Sequence, residues 1–100
     1  FQDKRIYNKS FLEKLINYAD QNTSEIMETL MSNADLDLST ITKIDQAILY
    51  IGTVELLYFK ETPKSVIINE CIDLAKKFSS EEAYKFINSI LDTVGSNLRR

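Results

Sequence analysis

The chain has 100 residues, of which 44% are hydrophobic and 27% are charged, and its formal net charge is −3. This length is typical of one domain, here residues 1–100, and the hydrophobic fraction excludes compositional disorder. Two glycines and one proline are too few turn signals for a many-stranded β fold, and no apolar run approaches the ~20 residues that span a bilayer.

Residue types that carry catalysis or bind metals are scarce in this chain. It has no histidine, which removes the commonest general base and the commonest metal ligand, and its single cysteine excludes an internal disulfide. No Gly-rich phosphate loop, nucleophile elbow or paired catalytic carboxylates can be found. The sequence therefore predicts a protein that is not an enzyme, has no cofactor and no metal site, and resides in a reducing, cytoplasmic compartment.

The first third of the chain predicts two amphipathic helices. The first runs from Asn8 or Ser10 to about Asp20, because apolar side chains recur there at i and i+4. The second is opened by Asn22, which begins the capping-box spacing N-T-S-E, and it ends near Asn33.

Residues 34–42 alternate apolar and polar side chains, a pattern that also suits a β-strand. A lone strand has no pairing partner, so we expect a connector with a helical turn instead. Its apolar side chains are expected to plug the core: Leu36, Leu38 and Ile41.

Residues 43–59 form the most hydrophobic stretch, apolar almost all round a helix, and this pattern predicts a central, buried helix. Gly52 costs such a helix about 1 kcal/mol relative to alanine, so we expect another helix to pack closely against it. Glu55 falls on an apolar face, where a buried carboxylate needs hydrogen-bond donors. We expect those donors to be the free N–H groups at the start of the next helix.

Residues 62–92 predict two consecutive helices with a tight joint. Thr62 and Pro63 suit the N-cap and the first position of the earlier helix. Ser80 suits the N-cap of the later one, with negative charge following it at residues 81–82.

Each of these two helices has one apolar arc. In the earlier helix the arc comprises Ile67, Ile68, Cys71, Ile72, Leu74, Ala75 and Phe78. In the later helix it comprises Ala83, Phe86, Ile87, Ile90, Leu91, Val94 and Leu98, with Tyr84 at the edge. Beyond it, Gly95 suits a helix terminus or a turn, and Arg99 and Arg100 are favourable near a helix C-terminus.

Three segments of the second half follow one another in this order: I-D-Q-A-I-L-Y-I-G-T-V-E-L-L-Y, then P-K-S-V-I-I-N-E-C-I-D-L-A-K-K-F, then Y-K-F-I-N-S-I-L-D. They resemble the NusB transcription-antitermination family, whose corresponding patterns are V-D-R-A-I-L-R-L-G-A-Y-E-L-L, P-x-x-V-A-I-N-E-A-V-E-L-A-K-x-F and K-F-V-N-G-V-L-D. The resemblance covers roughly residues 44–94.

The resemblance implies an all-α, NusB-like bundle of about five helices that corresponds to the larger, C-terminal part of the family fold. Family members carry two more helices and an arginine-rich leader upstream, so the chain is expected to be truncated at its N-terminus. The implied function is that of an antitermination factor. It would pair with ribosomal protein NusE, bind boxA RNA of nascent ribosomal RNA transcripts and join the RNA polymerase antitermination complex.

The family's K-F-V-N segment lies against bound RNA, and Lys85, Phe86 and Asn88 match it. Glu82 matches an acidic position that borders the same surface, and Ser89 replaces the usual glycine. An aromatic ring beside a lysine can stack on an unpaired base while the lysine meets a phosphate. From the spacing alone, a core Phe86 beside a solvated Lys85 is the more frequent arrangement.

A partner surface is implied at the start of the central helix, where the family has an acidic residue facing NusE at the position of Asp45. The same carboxylate suits a capping box or the positive end of the helix dipole, and these roles are compatible with one another.

Two further readings stay open. The same helical domain serves as the RNA-recognition part of ribosomal RNA cytosine methyltransferases, which a longer gene would reveal. The net charge of −3 instead favours a helical protein-interaction module without RNA binding. Apolar surface left by missing helices would favour a homodimer, and the sequence leaves the oligomeric state open.

Overall fold

The computed structural model describes residues 9–33 and 37–99, which contain five α-helices and no strand. The helices are α1 (Lys9–Gln21), α2 (Thr23–Asn33), α3 (Lys43–Tyr58), α4 (Lys64–Phe78) and α5 (Ala83–Leu98). This order confirms the prediction of an all-α bundle. No helix in the described ranges is long and apolar enough to cross a membrane.

The described part of the connector before α3 contains the 3₁₀ turn Leu38–Thr40, which agrees with the predicted helical turn. The Asp37 carboxylate accepts hydrogen bonds from the Ser39 N–H and hydroxyl, at 3.0 and 2.7 Å, and these bonds hold the pKa of Asp37 below its usual value. Ile41 packs against the core, as expected. The expectations for Asn8, Leu36, Arg100 and the side chain of Leu38 lie outside the part that the structure describes.

Helix α3 is central, because it packs against each of the other four helices. On one side lies a cluster shared with α2, α4 and α5, which includes Leu30, Ile48, Leu49, Leu56, Ile67, Ile87 and Leu91. On the other side lies a smaller cluster shared with α1 and α2, built from Leu15, Ile26, Val54 and Phe59. The predicted all-round burial of α3 is thereby confirmed for most of its length.

At Gly52, helix α3 lies close to both α4 and α5. A Cβ atom added there would lie 2.8 Å from a methyl carbon of Leu91 and 3.0 Å from the Cys71 sulfur. Both neighbours are fully buried, so neither can move aside into solvent. The expected close packing at this glycine is confirmed.

Gly95 has a different role from the predicted one. It lies inside the last turn of α5 and is buried, rather than ending the helix. A Cβ atom there would lie 2.6 Å from Cδ of Lys64, so the missing side chain makes room for the lysine stem. The ammonium of Lys64 then reaches Asp92, 3.3 Å away, and the Ser96 hydroxyl, 3.2 Å away.

Both later helices begin after the predicted residues. Pro63 is itself the N-cap of α4, so Thr62 precedes the cap. The Ser80 carbonyl accepts a hydrogen bond from the Ala83 N–H at 3.1 Å, which closes a turn before α5, and Glu82 occupies the N-cap. The prediction that Ser80 caps α5 is wrong because this turn intervenes.

The structure confirms the predicted burial of the central residues of each apolar arc, but the prediction is wrong for three outlying members. Phe78 is 56% exposed, and Phe86 and Leu98 are also exposed. Phe78 and Leu98 are the final residues of α4 and α5, where fewer neighbouring residues are available to cover a side chain. Glu70 is buried at 6% exposure although it lies off the predicted apolar arc.

Arg99 ties the end of α5 to the end of α3. Its guanidinium donates hydrogen bonds to the backbone carbonyls of Glu55, Leu56 and Phe59, at 3.2, 3.2 and 2.9 Å, and also to that of Thr62. The last carbonyls of a helix lack partners within the helix, so this one side chain supplies donors to the C-terminus of α3. The sequence alone predicts for Arg99 only a favourable charge near a helix C-terminus.

Asp45 joins the start of α3 to the joint between α4 and α5. Its carboxylate is buried at 8% exposure and accepts a hydrogen bond from the Ser79 hydroxyl at 2.6 Å. Its backbone N–H donates to the hydroxyl of Thr42, the N-cap residue, at 3.2 Å. Placement in the first turn confirms the predicted position of Asp45 at the positive end of the helix dipole. The capping-box role of its carboxylate stays a prediction.

Replacement of Gly52 by alanine should lower the free energy of unfolding by about 1–2 kcal/mol, because overpacking costs more than the ~1 kcal/mol gained in helix propensity. Gly95→Ala is the matched control, where the obstacle is the flexible stem of Lys64. That variant should be neutral or up to about 1 kcal/mol more stable. Urea unfolding followed by circular dichroism measures both. Equal effects at the two sites would contradict the packing role of Gly52.

Ser79→Ala should cost about 1–3 kcal/mol, because it removes the hydrogen-bond donor to the buried Asp45 carboxylate. Ser80→Ala, at the neighbouring exposed serine, should change stability by less than about 0.5 kcal/mol. Asp45→Asn retains an acceptor oxygen for Ser79 and should cost less than Ser79→Ala. Thermal unfolding of the three variants measures the differences, and a Ser79→Ala value equal to that of Ser80→Ala would show that the bond contributes nothing.

Candidate nucleic-acid interface

Three of the predicted RNA-binding residues come together on the outer face where α5 begins. Glu82, Lys85 and Phe86 are all exposed, and the Lys85 ammonium lies 3.4 Å from a Glu82 carboxylate oxygen. On a helix of 3.6 residues per turn, Phe86 lies roughly 40° from Glu82, so the ring borders this ion pair. An aromatic surface, a cation and a carboxylate therefore share one small area.

Phe86 is 38% exposed, so part of its ring is reachable from solvent. The rest of the apolar arc holds α5 against the core, since Ile87, Leu91 and Val94 are fully buried. The helix thus has a fixed orientation that keeps the Phe86 ring at the surface. A ring held in this way can stack on a base without a large loss of conformational entropy.

Asn88 is exposed but lies apart from Phe86. Two residues along a helix correspond to roughly 160° around its axis, so one flat ligand surface does not reach both side chains. Asn88 is nearer to Lys85, at about 60° around the helix. An RNA that contacts all four predicted residues has to curve around α5.

Asp45 lies on a different element, at the start of α3, and only 8% of it is exposed. A partner protein would therefore contact only the small exposed part of Asp45. Its neighbour Ile44 is 48% exposed, which the prediction of an all-round buried helix missed. Beside it, an apolar groove of about 360 Å³ runs between α2 and α3. The assignment of Asp45 to partner binding stays a prediction.

A second groove lies where the end of α4 meets the start of α5. It has a volume of about 410 Å³ and is lined by Lys76, Glu81, Glu82, Tyr84 and Lys85. The ammonium of Lys76 lies 4.6 Å from the centroid of the Tyr84 ring. Helical periodicity puts Tyr84 at the edge of an apolar arc and leaves Lys76 outside the arc of its own helix, because periodicity does not show how two helices meet.

The described ranges contain no group of three or more Cys, Asp and Glu side chains that could hold a metal ion. Cys71 is a buried, reduced core residue that packs beside Gly52. The chemistry available at the exposed face of α5 and its groove consists of stacking, hydrogen bonding and charge.

Comparison with known proteins agrees with this architecture. The family model described as "NusB family" matches residues 2–96. The chain is 34% identical over 92 residues to the protein named "Transcription antitermination protein NusB" from Burkholderia cenocepacia strain HI2424 and to that of Burkholderia orbicola strain MC0-3, and 33% identical to that of Burkholderia ambifaria strain MC40-6.

Each of these alignments covers 92% of the chain and 63% of the relative, so the chain spans less than two thirds of the length of the relatives it matches. The family model matches far more than half of the chain. The chain belongs to the NusB family.

Proposed function

We propose that this chain acts in transcription antitermination in the bacterial cytoplasm. In this proposal it pairs with ribosomal protein NusE, and the pair binds boxA RNA of nascent ribosomal RNA transcripts within the RNA polymerase antitermination complex. The observation that carries the proposal is 34% identity over 92 residues to proteins named as NusB antitermination proteins. No catalytic step is required, because the proposed activity is the binding of RNA and protein.

The RNA contact would use the exposed face at the start of α5. The partly exposed ring of Phe86 would stack on an unpaired base, and the Lys85 ammonium would meet a phosphate. The exposed amide of Asn88 would hydrogen-bond a base edge or the sugar–phosphate backbone. Glu82 would restrain the affinity, because its carboxylate already neutralises Lys85 at 3.4 Å and would repel phosphate.

The partner contact would use the start of α3, next to Asp45 and the exposed Ile44. Each protein would supply part of the RNA site, so the pair would bind RNA more tightly than either protein alone. A chain of net charge −3 would bind RNA more tightly in this pair, because NusE would add RNA contacts that the acidic chain alone does not offer.

Fluorescence anisotropy of a labelled boxA RNA tests the proposal. The RNA is titrated with this chain, with NusE and with an equimolar mixture, at two salt concentrations, and a scrambled RNA is the control. We expect the mixture to bind more tightly than either protein, with an affinity that falls as salt rises, because phosphate contacts release counterions. Absence of RNA binding in every mixture would contradict the proposal.

The second candidate is a helical protein-interaction module that does not bind RNA. The net charge of −3 favours it, since free-standing nucleic-acid-binding domains are commonly basic. A flat RNA titration together with measurable binding of NusE would favour this candidate over the first.

Glu82→Gln should tighten RNA binding by roughly 2- to 10-fold at low salt, because it frees Lys85 and removes a negative charge beside the phosphate path. Glu28→Gln is the matched control, since it makes the same change in net charge at an exposed position of α2. The anisotropy titration with NusE present measures both variants. Unchanged or weaker binding by Glu82→Gln would count against the site.

A further inference from the structure

The groove between α4 and α5 contains a cation that the proposed RNA contacts do not include. Lys85 and Glu82 line this groove together with Lys76, Glu81 and Tyr84. The groove is therefore continuous with the exposed face at the start of α5, and it extends that face across the joint to the last turn of α4. Lys76 is the residue that a ligand following this path would meet there.

Lys76 is held in position by Tyr84. Its ammonium lies 4.6 Å from the ring centroid, inside the ~6 Å range of cation–π attraction. The ring is itself half-buried and packs against the core cluster that α3 shares with α2, α4 and α5, so it is anchored to the core of the fold. A lysine that is already restrained loses less side-chain entropy when it binds an anion.

Lys76 also retains more of its charge for a ligand than Lys85 does. The Lys85 ammonium is paired with Glu82 at 3.4 Å. Within residues 9–33 and 37–99, no carboxylate lies at ion-pair distance from Lys76. An aromatic face attracts a cation without neutralising it, so the exposed Lys76 keeps its positive charge at this end of the groove.

We propose that Lys76 is a phosphate-binding residue of the RNA surface and that Tyr84 is its positioning residue. The ligand is the phosphodiester backbone of single-stranded RNA, and the contact is independent of base sequence. This inference rests on the proposed function. It adds a contact on α4 to a surface that otherwise lies on α5 alone, so the bound strand crosses the joint between the two helices.

The test measures the salt dependence of boxA RNA binding by the full 100-residue chain in the presence of NusE. Lys76→Gln should weaken binding by about 3- to 10-fold at low salt and reduce the slope of log K against log salt by about 0.7, the value for one single-strand phosphate contact. The preference for boxA over a scrambled RNA should not change, because phosphate contacts carry no sequence information. The melting temperature should stay near that of the unmodified chain, since Lys76 is exposed.

Lys77→Gln is the matched control, because it removes the same charge one residue further along α4. The Lys77 ammonium also lies over an aromatic ring, 5.7 Å from the centroid of Phe78, but Lys77 is not among the residues that line the groove. This variant should retain the salt slope of the unmodified chain. Equal losses for Lys76→Gln and Lys77→Gln would show a general effect of charge and overturn the assignment.

Two substitutions of Tyr84 test its positioning role. Tyr84→Phe keeps the ring and should keep the RNA affinity, whereas Tyr84→Leu removes the ring face and should weaken binding. In the Lys76→Gln background Tyr84→Leu should have no further effect, because Tyr84 acts through Lys76. A loss of the same size in both backgrounds would overturn the positioning role and assign Tyr84 to direct stacking on a base.

The outcomes separate this inference from the proposed function. If the unmodified chain with NusE binds boxA RNA and Lys76→Gln leaves both affinity and salt slope unchanged, this inference is wrong and the proposed function stands. If the unmodified chain with NusE binds no RNA, both are wrong.

Discussion

The burial of α3 between two apolar clusters determines where the other helices pack. Helices α4 and α5 pack on one side of it, α1 packs on the other, and Gly52 sets how closely α4 and α5 can approach. Because Ile87, Leu91 and Val94 face this core, the opposite side of α5 faces solvent. The exposed face with Lys85 and Phe86 is thus a consequence of how the core is filled.

Helical periodicity was sufficient to predict the buried centre of each helix, because one apolar stripe can face only one core. It failed where the geometry depends on residues distant in sequence. Ser80 has the chemistry of an N-cap, but a turn between its carbonyl and Ala83 delays α5. Gly95 has the chemistry of a helix end, yet it lies within α5, where its missing side chain makes room for the stem of Lys64.

The candidate site was predictable only in part, for the same reason. Spacing along a single helix favoured a core Phe86 beside a solvated Lys85, but 38% of Phe86 is exposed. The groove with Lys76 and Tyr84 does not follow from such spacing either, because it arises where two helices meet at the joint. The buried bond between Asp45 and Ser79 likewise links residues 34 positions apart, and no pattern within α3 reveals it. Family resemblance supplied the expected roles of Glu82, Asn88 and Asp45, which composition and spacing do not.

The contacts of Arg99 have a consequence for how the bundle comes apart. The final turn of a helix ordinarily frays, because its last carbonyls lack partners within the helix. Here the residue that follows α5 donates hydrogen bonds to carbonyls at the end of the central helix and in the loop after it. Local opening of the last turn would therefore also release the end of α3, and the two helix ends belong to one cooperative unit of unfolding.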